Sequence, residues 1–339
     1  MSHPLMAHPS ADQTTGSVLG LALGDALGAV VEALPPGDAR DYVEQVLRLG
    51  QLPAKGREHY PFGQVTDDTQ LTRELLQSIV DAGRFEPALF ATRLLNFVAS
   101  GRLVGGGPAP HEAAKQLALG TPWHEAGMPA PYAGNGAAMR AGPLGVLFGR
   151  DPRVLTRVVA DQARVTHQDP RCAAGAMAIA GAAAIAARRT PIRPAEFLVE
   201  LSGWVEPIEA GFAAALWEMT TWVHRPPDEA SEVLFDLSLD PERESRRQGI
   251  SSFVTSSVCW SLFAFLQAPD SYWDAICIAI AVGGDTDTMA AMTGSIAGAR
   301  LGAGALPPEF CDRLTDAGAW GAEHLATLAR WCHDRVFGR

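Results

Sequence analysis

Glycine recurs at every fourth position in two separate apolar segments of this chain, in the series Gly20, Gly24, Gly28 and Gly294, Gly298, Gly302. Residues four apart lie on one face of a helix, where each glycine costs ~1 kcal/mol relative to alanine. Close approach of two helices would offset that cost, so the stripes predict tight helix packing. If both helices are central, they bring Glu32, the next position of the first series, near Asp285 and Asp287. Ordinary packing with no bearing on a site explains the stripes equally well.

The helical pattern extends over nearly the whole chain, because neither a convincing run of alternating strands nor a solenoid repeat interrupts it. The predicted helices cover residues 17–32, 66–82, 87–100, 109–119, 151–164, 171–188, 194–207, 208–223, 251–267, 271–281, 286–302 and 317–336. A Pro/Gly-rich loop is expected at about 34–65. Since no low-complexity linker divides the chain, we predict one all-α domain over residues 14–339, preceded by a flexible tail of residues 1–13.

Composition and charge narrow the possible partners and locations. The net charge of −11 argues against stable nucleic-acid binding, which usually needs a basic patch. The five cysteines are widely spaced without a C-x-x-C pair, which indicates buried free thiols in a reducing compartment. Residues 1–15 lack the apolar core of a signal peptide. The uncharged run 248–269 contains six Ser or Thr residues, so we expect a buried helix there rather than a membrane span, and a cytoplasmic protein.

Two short acidic motifs lie far apart in the sequence and predict one metal site. The first covers residues 66–69 (TDDT) and the second residues 283–288 (GGDTDT). Carboxylates that meet in a poorly solvated cleft repel one another strongly unless cations lie between them. Oxygen ligands without a nearby thiolate suit Mg²⁺ or Mn²⁺ rather than zinc. The four carboxylates of this predicted site are those of Asp67, Asp68, Asp285 and Asp287.

The alternative is that these aspartates only begin helices, where they complement the helix dipole. That interpretation explains one aspartate easily and two adjacent ones less well. Asp285 and Asp287 would point about 200° apart on a regular helix. They therefore converge only in a loop or a first turn, which the glycines at 283–284 permit. The hydroxyl of Thr288 could then join the same site.

Several further residues are weaker candidates. Glu32 could be an extra ligand or a base, although a lone Glu at a helix end is usually solvated. Asp25 is either a buried structural partner, which we favour, or part of the acidic pocket. The glycines of 105–107 and of the G-N-G sequence at 134–136 could direct backbone N–H groups at an anion, but both sequences are also common turns. His167 could donate to a ligand, and a capping or core role is favoured for it.

Taken in order, these motifs resemble those of the ADP-ribosylglycohydrolase family, which includes dinitrogenase-reductase-activating glycohydrolase and the ADP-ribosyl-acceptor hydrolases. The resemblance covers about residues 14–335. The motifs that carry it are Gly24-Asp25-Ala26-Leu27-Gly28 with Glu32, Thr66-Asp67-Asp68-Thr69, Gly134-Asn135-Gly136 with Met139-Arg140, Thr166-His167 and Gly284-Asp285-Thr286-Asp287-Thr288. It implies an all-α fold of orthogonally packed helices with a binuclear Mg²⁺ or Mn²⁺ site in a central cleft.

The resemblance also implies a role for each matched residue. The implied metal ligands are Thr66, Asp67, Asp68, Asp285, Asp287 and Thr288. The candidate catalytic bases are Glu32 and Asp285. The implied ADP-ribose-binding residues are Gly106, Gly134, Asn135, Gly136 and His167.

The activity that the resemblance implies is removal of ADP-ribose from protein arginine or serine side chains, by cleavage at C1″ of the distal ribose. Two metal ions would hold the ribose hydroxyls and position a water molecule. The expected partners are ADP-ribose and ADP-ribosylated protein. Two alternatives are a phosphoesterase acting on ADP-ribose-like nucleotides and a non-catalytic ADP-ribose-binding or crystallin-like protein of the same fold.

Overall fold

The structure is a computed structural model that describes residues 8–237 and 248–338, and its fold is all-α, as the sequence predicts. The helices are α1 (Ala11–Gly28), α2 (Pro36–Tyr42, continued by a π-helical turn over Val43–Leu47), α3 (Asp67–Ala82), α4 (Pro87–Ala99), α5 (Pro108–Ala118), α6 (Gly142–Phe148), α7 (Pro152–Arg164), α8 (Pro170–Ala186), α9 (Pro194–Val205), α10 (Ala210–Met219), α11 (Pro227–Leu237), α12 (Val254–Gln267), α13 (Tyr272–Ala281), α14 (Thr286–Leu301), α15 (Pro308–Cys311) and α16 (Ala322–Phe337). A 3₁₀ turn covers Ala303–Ala305, and β1 (Thr315–Asp316) pairs antiparallel with β2 (Trp320–Gly321).

Helix α1 begins earlier and ends earlier than predicted. Ser10 Oγ accepts a hydrogen bond from Gln13 N–H at 3.2 Å, and Gln13 Oε1 accepts one from Ser10 N–H at 3.0 Å. This reciprocal cap starts the helix inside the predicted tail, of which residues 1–7 lie outside the described residues. At its other end α1 stops at Gly28, so Glu32 lies in the following turn rather than at the end of the helix.

The sequence-based assignment omits α2, α6, α11, α15 and the hairpin. Of these helices, α2, α11 and α15 begin with a proline, whose fixed φ suits the first helical position. Helices this short are marginal in isolation, so tertiary packing, not propensity, decides that they form. Residues 317–321, predicted as the start of the last helix, instead form the hairpin, with φ of +49° at Ala317 and +79° at Gly318.

Helices α1 and α14 lie against each other along their glycine stripes. A Cβ atom built on Gly24 would lie 2.5 Å from the carbonyl carbon of Ala290, and one on Gly28 would lie 2.5 Å from that of Thr286. There is no space for side chains at these points, so the two backbones touch and the predicted tight packing is confirmed. The contact places the end of α1 beside the start of α14.

Two apolar helices, α8 and α12, complete the core. Helix α8 packs against α6, α7, α9, α12 and α14. Helix α12 lies within the uncharged run and is buried, as expected, and the indole of Trp260 donates to Ala279 O at 3.2 Å. Within residues 8–237 and 248–338, no helix has the length and apolar character needed to cross a membrane. All five cysteines are buried and free, as predicted.

Candidate metal centre and ligand cleft

Asp25 of α1 holds the first acidic motif in place by accepting hydrogen bonds. Its carboxylate accepts from the backbone N–H groups of Thr66 and Thr69, at 3.0 and 3.2 Å, and from their hydroxyls, at 2.9 and 2.5 Å. Thr66 also caps α3, because its Oγ1 accepts from the N–H of Asp68. Asp25 is completely buried. It therefore has the structural role that the sequence favours, and it joins the start of α3 to α1.

The first turn of α3 carries the two adjacent aspartates. Asp67 lines the cleft and accepts a hydrogen bond from Gly106 N–H at 2.9 Å. Asp68 is buried, and its Oδ2 lies 3.3 Å from the hydroxyl oxygens of both Thr66 and Thr288. The Thr288 contact joins the two acidic motifs, which are more than two hundred residues apart in the sequence.

The second motif forms the turn before α14 and the first turn of that helix. The glycines at 283–284 have φ of +74° and +89°, a conformation that side chains disfavour. Asp285 N–H then donates to Ile250 O at 2.8 Å. In this backbone Asp285 and Asp287 converge with Glu32, so that one carboxylate oxygen of each residue lies within 4.8 Å of the others.

Glu32 reaches this group although it lies outside α1. Ala33 has a φ of +60° and donates its N–H to Gly284 O at 3.0 Å. The hydroxyl of Thr286 donates to Gly28 O at 2.8 Å. These two bonds hold the turn after α1 against the turn before α14. Glu32 therefore lies beside the carboxylates of the two acidic motifs. We call these five residues, Glu32, Asp67, Asp68, Asp285 and Asp287, the acidic cluster.

Burial and mutual repulsion raise the pKa values of the acidic cluster. Burial, reinforced by the charge of Asp287, raises the pKa of Asp67 to about 7 and that of Asp285 to about 8. Burial and the charges of Asp287 and Asp285 raise the pKa of Glu32 to about 10. Burial also raises the pKa of Asp68 well above its usual range. Negative charge held at such a cost favours bound protons or cations.

The residues of the cluster fit a divalent cation. Carboxylate and hydroxyl oxygens are the ligands that Mg²⁺ and Mn²⁺ prefer. Asp68 Oδ1 is buried without a hydrogen-bond partner, and a cation would satisfy such an oxygen. Thr66 is a weaker candidate ligand for a cation. Its hydroxyl donates to Asp25 and accepts from Asp68 N–H, which leaves one lone pair for a metal.

One basic residue at the cluster is absent from the sequence-based candidates. Arg57, in the loop before α3, contacts Glu32 Oε2 through its Nη1, which also lies 3.7 Å from Asp287 Oδ2. The contact with Glu32 is an ion pair that lacks hydrogen-bond geometry. No local pattern distinguishes Arg57 from other basic residues, because only the folded loop brings it to the cleft.

The acidic cluster borders a cleft of about 310 Å³ that the glycine sequences also line. Residues 105–107 and 134–136 lie along it together with Tyr132. Asn135 Nδ2 donates to Asp285 Oδ2 at 2.5 Å, so the G-N-G loop is tied directly to the second acidic motif. Except for Thr66 and Asp68, which lie buried beside it, every site residue predicted from the sequence lines this cleft.

A buried polar network supports the glycine loop at 105–107. Gln70 of α3 accepts a hydrogen bond from Val104 N–H at 2.9 Å and donates to Arg102 O at 3.1 Å. The same amide donates to Asp316 at 2.7 Å, and Arg73 also donates to that carboxylate. The loop is therefore positioned by α3 and the hairpin, a connection that no local sequence signal predicts.

A second arginine that is absent from the predicted site residues orients His167. Arg140 is buried below the G-N-G loop and donates to Gly136 O at 2.8 Å and to Thr166 Oγ1 at 2.7 Å. Thr166 Oγ1 lies 2.8 Å from Nδ1 of His167. Burial and the charge of Arg140 lower the pKa of His167 to about 3, so its ring is neutral. Because Thr166 Oγ1 accepts from Arg140, its hydroxyl proton can be donated to Nδ1 of His167. The proton of the neutral ring then lies on Nε2, near Gly136.

Comparisons with known proteins agree with the all-α fold. The sequence matches the ADP-ribosylglycohydrolase family over residues 6–339. The ADP-ribosylarginine hydrolase Tri1 of Serratia proteamaculans is 28% identical, over 94% of this chain and 78% of that protein. The ADP-ribosyl-[dinitrogen reductase] glycohydrolase of Rhodospirillum rubrum is 26% identical, over 91% of this chain and 92% of that protein.

A solved structure supports the same assignment. It is described as an ADP-ribosylglycohydrolase-related protein complex, and it aligns with a TM-score of 0.70 and 26% identity over 96% of this chain and 99% of the other. The chain therefore belongs to the ADP-ribosylglycohydrolase family, which confirms the resemblance seen in its motifs.

Proposed function

We propose that this protein is a metal-dependent hydrolase that releases ADP-ribose from modified arginine or serine side chains by cleavage at C1″ of the distal ribose. The observation that carries the proposal is the convergence of the acidic cluster with two glycine loops in a single cleft. Family membership supports the reaction class, as do relatives named for hydrolysing ADP-ribosylarginine and ADP-ribosyl-dinitrogen reductase.

Each part of the cleft would have its own task. The residues that would hold two Mg²⁺ or Mn²⁺ ions are Thr66, Asp67, Asp68, Asp285, Asp287 and Thr288. When bound, such ions supply Lewis acidity and lower the pKa of water. Gly106 N–H and Asn135 N–H already donate within the protein, to Asp67 and to Ser252 O. The remaining backbone N–H groups of 105–107 and 134–136, together with Nε2–H of His167, would donate to ADP-ribose phosphate and hydroxyl oxygens.

Glu32 and Asp285 are the candidate bases. The pKa of each is raised by burial and by neighbouring carboxylates. Bound cations would offset that repulsion and favour the ionised carboxylates, which could then accept a proton from the attacking water. Glu32 is a fifth exposed and lies at the cleft surface, so it can reach a water molecule without leaving the cluster.

The test is release of ADP-ribose from arginine- and serine-linked mono-ADP-ribosylated peptides, with Mg²⁺, Mn²⁺ or a chelator. We expect activity that needs the metal and that Asp287→Asn lowers by roughly a thousandfold or more, because several kcal/mol of charge stabilisation are lost. Asp38→Asn, an exposed change on α2, is the matched control and should leave the rate unchanged.

The products separate this proposal from its alternatives. Free ADP-ribose indicates glycosidic cleavage, whereas AMP with ribose phosphate indicates a phosphoesterase. Binding of ADP-ribose without turnover of any peptide would indicate a non-catalytic member of the family. Equal activity of wild type and Asp287→Asn would exclude the proposed metal site.

A further inference from the structure

Arg57 bridges the two sides of the cleft. Its Nη1 contacts Glu32 and lies 3.7 Å from Asp287 Oδ2, and it would lie 3.1 Å from a Cβ atom built on Gly105. Three quarters of its side chain is covered, with 25% exposed. Among the residues that the structure describes, it is the one cation within ion-pair distance of the acidic cluster.

The backbone around Arg57 forms a compact turn of its own. Gly56 N–H donates to Tyr60 O at 3.0 Å, and Tyr60 N–H donates to Arg57 O at 2.9 Å. Glu58, between them, has a φ of +51°. The turn is connected to the rest of the fold further along, where Thr315 N–H donates to Gly63 O at 2.8 Å. The first two bonds lie within the turn, so the contacts of Arg57 with Glu32 and Asp287 are what join residues 56–60 to the acidic cluster.

We propose that Arg57 is an internal counter-cation of the acidic cluster, where it contacts Glu32 and Asp287, and that it competes there with divalent metal, so that metal binding displaces residues 56–60 from the cleft. This inference rests on the metal-dependent function proposed above. A guanidinium among carboxylates neutralises part of their repulsion, and it repels a second cation brought to the same oxygens. Its charge is permanent near neutral pH, so Arg57 opposes the metal at every pH at which the cluster is ionised, in addition to any protons that the carboxylates hold.

The first experiment measures binding of Mn²⁺ and Mg²⁺ by isothermal titration calorimetry. We expect Arg57→Gln to bind the metal about tenfold more tightly than wild type, because a repelling charge a few Å away is removed. Arg57→Lys keeps the charge and should stay close to wild type. Arg164→Gln, on the exposed face of α7, changes the net charge equally and should have no effect. Unchanged or weaker binding by Arg57→Gln would overturn the inference.

A second measurement uses the wild-type protein alone. Hydrogen exchange of residues 56–60 should become faster when Mn²⁺ is added, because the turn loses its contact with Glu32. Exchange that is unchanged or slower contradicts displacement. If wild type binds neither metal, the proposed function fails and this inference with it. If wild type binds metal but Arg57→Gln binds no more tightly, only the role of Arg57 is rejected.

Discussion

Asp25 and Asp287 are both buried aspartates near the contact of α1 with α14, yet their surroundings differ. Asp25 accepts four hydrogen bonds from Thr66 and Thr69. Asp287 accepts one from the N–H of its neighbour Thr288, and its side chain faces other carboxylates. A carboxylate with a full set of donors is structural, whereas one that faces further carboxylates is suited to bind a cation.

Replacing Asp25 by alanine should destabilise the protein by about 4 kcal/mol, because several buried donors lose their acceptor at ~1–3 kcal/mol each. Thr69→Val removes one of those donors with little change of shape, and it should cost only about 1 kcal/mol. Urea denaturation followed by circular dichroism measures both. Equal losses in the two variants would contradict the role assigned to Asp25.

The contact between α1 and α14 determines where the site lies, because both helices end or begin at the acidic cluster. At Gly24 and Gly28 the backbones are too close for a methyl group. The turn after α1 is then held by Ala33 N–H donating to Gly284 O at 3.0 Å. A change in helix spacing would therefore move Glu32 away from Asp285.

Gly24→Ala should destabilise the protein by about 3 kcal/mol, since overpacking a close contact forces the backbones apart. The matched control is Gly203→Ala on α9, where nothing lies within 4 Å of the added methyl group. There the change should be neutral or stabilise the protein by up to about 1 kcal/mol through helix propensity. Thermal unfolding of the two variants checks the difference. Similar behaviour of both would argue against the close contact.

On the scale of the whole molecule, the carboxylates of the acidic cluster repel one another at the point where three structural elements meet. Helices α3 and α14 and the turn at 29–34, which follows α1, contribute its carboxylates. Bound divalent ions would relieve the repulsion and hold these elements together. The stability of the entire fold should therefore depend on metal and on pH.

In chelator, we expect stability to fall as the pH rises from about 5 to 9. The folded-state pKa values of Asp67 and Asp285, about 7 and about 8, exceed the ordinary value. Folding therefore favours their protonated forms, and their contribution to stability, present below pH 4, is lost as the pH passes through 7 and 8. The charge of Asp287 helps to raise both pKa values. Asp287→Asn removes that charge and should make stability depend less on pH.

Thermal melts at several pH values, with and without Mg²⁺, measure this effect. Added Mg²⁺ should reduce the loss at high pH, because the ions replace protons as the counter-charge. Stability in chelator that rises between pH 5 and 9 in wild type, with the same slope in Asp287→Asn, would contradict the repulsion that we describe.

Local patterns determined much of the fold and of the site. Glycine spacing predicted that two helices pack tightly, because residues four apart share a helix face, and the structure shows that these helices, α1 and α14, pack against each other. The paired aspartates predicted the acidic centre, because carboxylates brought close together repel one another unless a cation lies between them. The G-N-G loop and His167 were only weak candidates for ligand contact from the residues themselves, and the resemblance of the motifs to a family is what implied that role.

Tertiary structure alone decided the rest. Glu32 reaches the cluster from a turn held by Gly284, not as the last residue of a helix. Arg57 and Gln70 carry no local signal, because their partners are distant in sequence and meet them only after folding. Arg140 belongs to the motif that begins with the G-N-G sequence, but its bond to Thr166 likewise forms only in the fold. Short helices such as α2 and α6 form because packing stabilises them. Sequence determines which residues can share a face, whereas long-range contacts decide which faces meet and which charges are brought together.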